Sequence, residues 1–246
     1  MTTIAILFWA GVFLVFYTYL GYGILLWTLV KIREALRPAR RYEVPAEAPE
    51  VTLLIAAYNE QEIVAEKMAN CRALEYPASK LRITWITDGS TDRTVELLAA
   101  YPDATVLHDA RRGGKTAALN RALEHIRTPL VVFTDANTML NLEAVTEIVR
   151  CFEDPQVGCV AGEKRVADAG GAGAAATEGV YWKYESKLKE LDYRLYSAVG
   201  AAGELFAVRR GLWQTLPEDT LLDDFVCSML IASQGYKIAY CKEAYA

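Results

Sequence analysis

Three short polar clusters in this chain each follow an apolar run. Tyr58-Asn59-Glu60 follows VTLLIAA (51–57), Asp88-Gly89-Ser90-Thr91-Asp92 closes RITWITD (82–88), and Asp135-Ala136-Asn137 closes LVVFTD (130–135). Carboxylates just past strand ends can hold a metal or a hydroxylated ligand. Each cluster alone is better read as a helix N-cap, since Asp, Asn and Ser satisfy the free amides of a first turn. Three of them on one sheet edge favour a site. A fourth cluster, Arg111-Arg112-Gly113-Gly114-Lys115-Thr116, has the tail of a P-loop. The first glycine of that motif would fall at Asp109, whose carboxylate repels phosphate. Two readings survive: a glycine turn where Arg112 and Lys115 face a phosphate ligand, or a solvated turn capping a helix. A fifth cluster, Glu218 to Asp224, puts four carboxylates in seven residues. Favourable charge at a helix N-terminus accounts for one or two. The adjacent Asp223 and Asp224, flanked by Leu222 and Phe225, also suit a general base, because neighbouring carboxylates raise one pKa. His108 and His125 are the only histidines. Neither has partners at metal-ligand spacing, so both read as structural.

These residues need a scaffold, and the apolar pattern supplies one. Strands are expected at 51–57, 82–88, 104–108, 130–135 and 157–162. Helices are expected at 60–74, 91–100, 115–127 and 143–152. Such alternation predicts an open α/β sheet with parallel pairing and right-handed crossovers, binding its ligand beyond the carboxyl ends of the strands. After residue 162 the pattern changes. AGGAGAAA (169–176) reads as a low-complexity loop, and 178–196 as a helix carrying Tyr181, Trp182, Tyr184, Tyr193 and Tyr196. A glycine turn, a strand at 204–208, the acidic loop, and a last helix and strand within 226–240 complete the chain.

The 246 residues are 53% hydrophobic and 23% charged, which excludes a disordered chain, a collagen and a disulfide scaffold. Five cysteines without a CxxC pair fit a reducing compartment. The net charge of −5 argues against nucleic acid as a partner. That average hides an asymmetry. Residues 4–30 carry no charge, and as a helix they span roughly 40 Å against a hydrocarbon core of about 30 Å. Lys31, Arg33, Arg37, Arg40 and Arg41 follow, opposed only by Glu34. Setting these aside from 26 basic and 31 acidic residues leaves 21 and 30 over 42–246, a net of −9. Basic residues after the span place the downstream part in the cytoplasm. The expected organisation is therefore a membrane anchor (1–30), a basic juxtamembrane linker (31–49) and a cytoplasmic domain (50–246). The chain would contact membrane lipid through residues 4–30 at the inner cell membrane, with room for a membrane partner subunit.

The set AYNE, DGSTD, RRGGKTAALN, FTDANT, a GxxG before AVRR, and LLDDF followed by GYKI resembles glycosyltransferase family 2. More narrowly, it is similar to the membrane-bound synthases of cellulose, chitin, hyaluronan and poly-N-acetylglucosamine. The resemblance spans about residues 50–242. It implies a GT-A fold, a UDP-sugar donor, a saccharide acceptor, Mg²⁺ or Mn²⁺, and inversion at the anomeric carbon. It also implies roles. Ala57, Tyr58 and Glu60 line the nucleotide pocket, Asp88 contacts the uracil, and Lys115 lies near the nucleotide. Asp135 and Asn137 hold the metal and diphosphate. Asp224 is the catalytic base with Asp223 before it, and Trp182, Tyr184 and the segment from Gly200 through Gly203 to Glu204 cradle the acceptor. The chain departs from the family pattern in three places: Thr87 for the first aspartate of DDGS, Asn137 for the second of DxD, and LDD for TED. The family's QxxRW motif and its C-terminal membrane helices would follow Ala246, so the chain is expected to be truncated. The resulting expectation is a sugar transferase. A donor-binding subunit with weak turnover is the alternative, and a P-loop-like NTPase the remote one.

Overall fold

A computed structural model describes residues 2–37, 43, 45–165 and 174–246, with backbone alone for 174–180. Arg40, Arg41 and most of the low-complexity run expected as a loop lie outside the described residues. The last three residues of that run, 174–176, are helical.

Seven strands form one sheet: β1 (Val51–Ala57), β2 (Leu81–Asp88), β3 (Ala104–Asp109), β4 (Leu130–Asp135), β5 (Val157–Glu163), β6 (Leu205–Arg209) and β7 (Lys237–Tyr245). Their order across the sheet is β3-β2-β1-β4-β6-β5-β7. The β1, β2, β3 and β4 pairings are parallel, as is β5 with β7. The expectation of uniformly parallel pairing fails at β6, which runs antiparallel to both β4 and β5. The chain enters β6 from a long helical excursion rather than a simple crossover, so the right-handed βαβ rule does not govern its direction.

Both faces of the sheet are covered, which is why the central strands read as continuous apolar runs. Val51, Leu53 and Ile55 of β1 point to the face packed by α3 (Val64–Ala73) and α6 (Ala144–Cys151). Leu54, one residue out of phase, points to the face packed by α5 (Lys115–His125) and α8 (Asp223–Ser233). On that second face Phe133 of β4 stacks on Phe206 of β6 at 4.4 Å between ring centroids, which ties the antiparallel strand to the parallel half.

Two helices start later than periodicity predicts. Only Thr94–Leu98 (α4) of the expected 91–100 is helical, and α3 begins at Val64 rather than 60. The residues removed from each helix form the loops that carry the polar clusters. The last helix begins earlier than expected, so Asp223 and Asp224 sit in its first turn.

At the N-terminus α1 (Thr2–Phe16), a π-helical turn (Tyr17–Gly21) and α2 (Tyr22–Leu36) form one continuous apolar helix, long enough to cross a membrane. Its second half is not a free anchor. Leu26 and Val30 bury against Leu191 of α7 (Ala174–Leu195). Arg194 makes a two-pronged ion pair with Glu34, and Tyr22 Oη donates to Asp192 at 2.7 Å.

Candidate active site

The loops after β1 and β2 are laced together. Asn59, at φ 56°, accepts from the Thr91 amide at 2.8 Å, and the Glu60 and Gln61 amides donate to Thr94 Oγ1 and Asp92 Oδ2. Asp92 in turn caps α4 by accepting from the Thr94 amide at 2.9 Å. Asp92 thus follows the N-cap reading, while Tyr58, Glu60 and Asp88 face a cleft.

Asp88 organises the glycine turn. Its Oδ2 accepts from the Gly113 and Gly114 amides at 2.8 and 2.7 Å. Those amides are therefore committed to a carboxylate and do not form a P-loop cradle, which removes the NTPase reading. The second oxygen, Oδ1, is buried and unmatched by any hydrogen bond, with Arg121 at 3.5 Å. Gly89 makes the approach of the two loops possible. It sits at φ +68°, and a Cβ there would lie 2.9 Å from the Arg112 nitrogen. Arg112 then spreads its guanidinium over the Tyr58 ring at 3.8 Å.

All seven residues expected on the donor side line one cleft of about 310 Å³: Ala57, Tyr58, Glu60, Asp88, Lys115, Asp135 and Asn137. Lys115, the first residue of α5, reaches across it to Asp135 Oδ1 at 2.6 Å. Burial alone would lower the Lys115 ammonium, but Asp135, Asp223 and Asp224 outweigh it and hold the group above the ordinary lysine value. Glu60 is raised by burial and by the charges of Asp135 and Asp92. A larger cleft of about 620 Å³ opens near Thr52, Arg82 and Thr128, at the opposite ends of the strands and away from these groups.

The transfer side meets the donor side at Gly203. The Cβ position at Gly203 stands 3.5 Å from Asp224 Oδ2 and 3.9 Å from Lys115 Nζ, so both groups border this one point. Asp223 is buried beside them, and its Oδ2 has no hydrogen bond. Burial raises its pKa, Lys115 opposes this, and Asp224 and Asp135 add to the rise. Glu204 binds Lys164, whose ammonium lies over the Trp182 ring at 5.0 Å. Burial works to raise Glu204, but the Lys164 bond overrides it and holds the carboxyl below its usual value. Lys164 was not expected from sequence. Tyr184 is not on this wall: its hydroxyl donates to the Tyr19 carbonyl at 2.7 Å, on the N-terminal helix.

The donors available to a metal are hard oxygens: the Asp135 carboxylate and the Asn137 amide, both lining the cleft. No three His, Cys, Asp or Glu residues converge among the described residues. The set therefore fits a divalent cation that also takes phosphate and water ligands, and not a cage made of protein alone.

Comparison with known proteins places this arrangement. A profile described as glycosyltransferase like family 2 matches residues 48–246. The chain is 29% identical to beta-monoglucosyldiacylglycerol synthase of a Nostoc species, in an alignment that covers 74% of this chain and 41% of that protein. It is 27% identical to poly-beta-1,6-N-acetyl-D-glucosamine synthase of Staphylococcus aureus, covering 77% of this chain and 47% of that one. The chain thus spans less than half the length of these curated relatives. Among solved structures, the mannosyltransferase PcManGT of Pyrobaculum calidifontis, in complex with GDP-Man and Mn²⁺, superposes with a TM-score of 0.73. The match is at 25% identity and covers 94% of this chain and 66% of that chain. S. aureus TarS 1-349 in complex with UDP-GlcNAc shares the fold at a TM-score of 0.59 and 17% identity, over 80% of this chain and 58% of that chain.

Proposed function

Because the chain belongs to glycosyltransferase like family 2, we propose that it moves a sugar from a UDP-sugar to an acceptor hydroxyl, with inversion, in polysaccharide or glycolipid synthesis at the membrane. The observation that carries this reading is the convergence at Gly203. There the donor cleft, with Asp135 and Lys115, meets the Asp224 carboxylate.

Tyr58 and Arg112 offer a flat, charged platform for the base and phosphates. The Asp88 carboxylate lines this end of the cleft, where the imide N–H of uracil would meet an acceptor. Lys115 shifts between Asp135 and the diphosphate, neutralising charge on the departing group. Asp135 and Asn137 would hold Mg²⁺ or Mn²⁺, which would supply Lewis-acid neutralisation of the leaving diphosphate. Asp224 takes the proton of the acceptor hydroxyl as that oxygen attacks the anomeric carbon from the face opposite the leaving group. One displacement inverts configuration and leaves no sugar on the enzyme. Trp182, Lys164 and Glu204 form the acceptor wall, where a sugar face can lie on the indole.

The apolar N-terminal helix supports membrane attachment. Along the continuous N-terminal helix Tyr19 meets Tyr184 and, further on, Glu34 meets Arg194, so this helix and α7 run in the same direction. Tyr184 is thereby held against the uncharged stretch of the N-terminal helix.

The test is product analysis. Protein in membranes is supplied with UDP-glucose, UDP-N-acetylglucosamine and GDP-mannose in turn, and the new linkage is read by NMR. A β-linked product from an α-linked UDP-sugar is expected, with UDP released. An α-linked product would overturn inversion, and transfer from GDP-mannose alone would overturn the UDP assignment.

A further inference from the structure

Lys67 lies on α3, beneath the loop that carries Asp135 and Asn137, and it is fully buried. A lysine buried among Val64, Met68 and Cys71 needs a reason, because removing an ammonium from water is costly unless its protons are used. They are used on one segment. Nζ donates to Thr134 Oγ1 at 3.2 Å and to the Thr138 carbonyl. One helical turn on, Asn70 Nδ2 donates to the Leu140 carbonyl at 2.8 Å, and Asn70 Oδ1 accepts from the Leu140 amide at 3.0 Å. Residues three apart on a helix share a face. That face of α3 therefore grips the chain on both sides of Asp135-Ala136-Asn137, where β4 ends in a turn.

We infer that Lys67 is a positioning residue for the diphosphate half of the donor site. It fixes the turn through Thr134 and Thr138 without touching the donor, and places a buried positive charge beneath Asp135. The inference rests on the donor-site reading above and adds a residue to it. Burial lowers the Lys67 ammonium to about 8, while Cys71 and Asp135 act to raise it. A neutral amine would still donate to both oxygens, so the hydrogen-bonding role does not depend on the charge.

The experiment separates the two halves of the donor. Wild type and Lys67→Met, both in detergent, are titrated calorimetrically with UDP in Mn²⁺ and with uridine. Uridine reports only the Tyr58 and Asp88 end. Methionine keeps the length and apolar fit of the stem but donates nothing. The expected result is a loss of UDP affinity of about tenfold or more, the scale of hydrogen bonds to a charged group, with uridine affinity changed less than twofold. Thr134→Val, which removes one acceptor at nearly constant volume, should shift UDP in the same direction by a few fold. It also serves if Lys67→Met fails to fold. Equal losses for UDP and uridine, or no loss in either variant, would overturn the positioning role. Failure of the wild type to bind UDP would overturn the donor-site reading itself, and this role with it.

Discussion

At the scale of single residues, the site is built from groups held at a cost to the fold. Asp223 is buried with an unmatched oxygen, and burial raises its pKa. In the window above the ordinary Asp value the native state keeps a proton that the unfolded chain has lost, so stability falls as pH rises through that window. Asp223→Asn should therefore melt a few degrees higher than wild type at pH 7, and the gain should vanish near pH 3.8 and below. Thermal denaturation across that range checks both parts. Asp224→Asn is expected to keep UDP affinity within about twofold and to lose transfer by at least 10²-fold, the usual scale of general-base catalysis. Equal turnover would remove Asp224 from that role. Tyr58, Glu60, Asp88, Asp135 and Asn137 were legible as polar groups at strand ends and Lys115 as the basic residue of a glycine turn, while Ala57 and the roles of all seven rested on the family resemblance. Lys67, Arg121 and Lys164 were not. A lysine inside a polar-looking helix reads as solvated, and only the fold brings α3 beneath the Asp135 turn.

Among the elements, β1 and β4 were read to the residue, because strands covered on both faces read as nearly continuous apolar runs bounded by polar clusters. Helix starts were misjudged where the first turn was given up to the site, as at 60–63 and 91–93. The direction of β6 carries no sequence signal at all, since pattern reports burial and not orientation. The glycine at 89 shows how an element boundary serves the cleft. Its positive φ and the 2.9 Å approach to Arg112 leave no place for a side chain. Gly89→Ala should cost about 1–3 kcal/mol in stability and weaken UDP binding, as the β2 loop is pushed from the glycine turn. Chemical denaturation and calorimetry on the variant test this. Unchanged affinity would mean that the Asp88 clamp on Gly113 and Gly114 tolerates movement.

Over the whole molecule, the N-terminal helix and the sheet domain act as one body through α7. Glu34 and Arg194 are partly buried and joined by two prongs, a geometry stronger than an ordinary surface pair. Glu34→Arg alone should lower the melting temperature and speed proteolysis between the helix and β1, whereas Glu34→Arg with Arg194→Glu should restore much of the loss. Lack of restoration would show that the apolar contact of Leu26 and Val30 with Leu191 is sufficient by itself. The sequence disclosed the apolar helix but not this pairing, because an uncharged run looks the same whether lipid or protein lies beside it. The central claim is that one cleft takes the donor through Asp88 at one end and Asp135 at the other. Calorimetric titration of UDP, against GDP, CMP and ATP, with and without Mn²⁺, on wild type and Asp135→Ala, tests it most directly. The account predicts selective, Mn²⁺-dependent binding of UDP by the wild type, with the dependence on Mn²⁺ lost in Asp135→Ala. A folded wild-type protein that ignores UDP, or an Asp135→Ala variant with unchanged Mn²⁺ dependence, would contradict it.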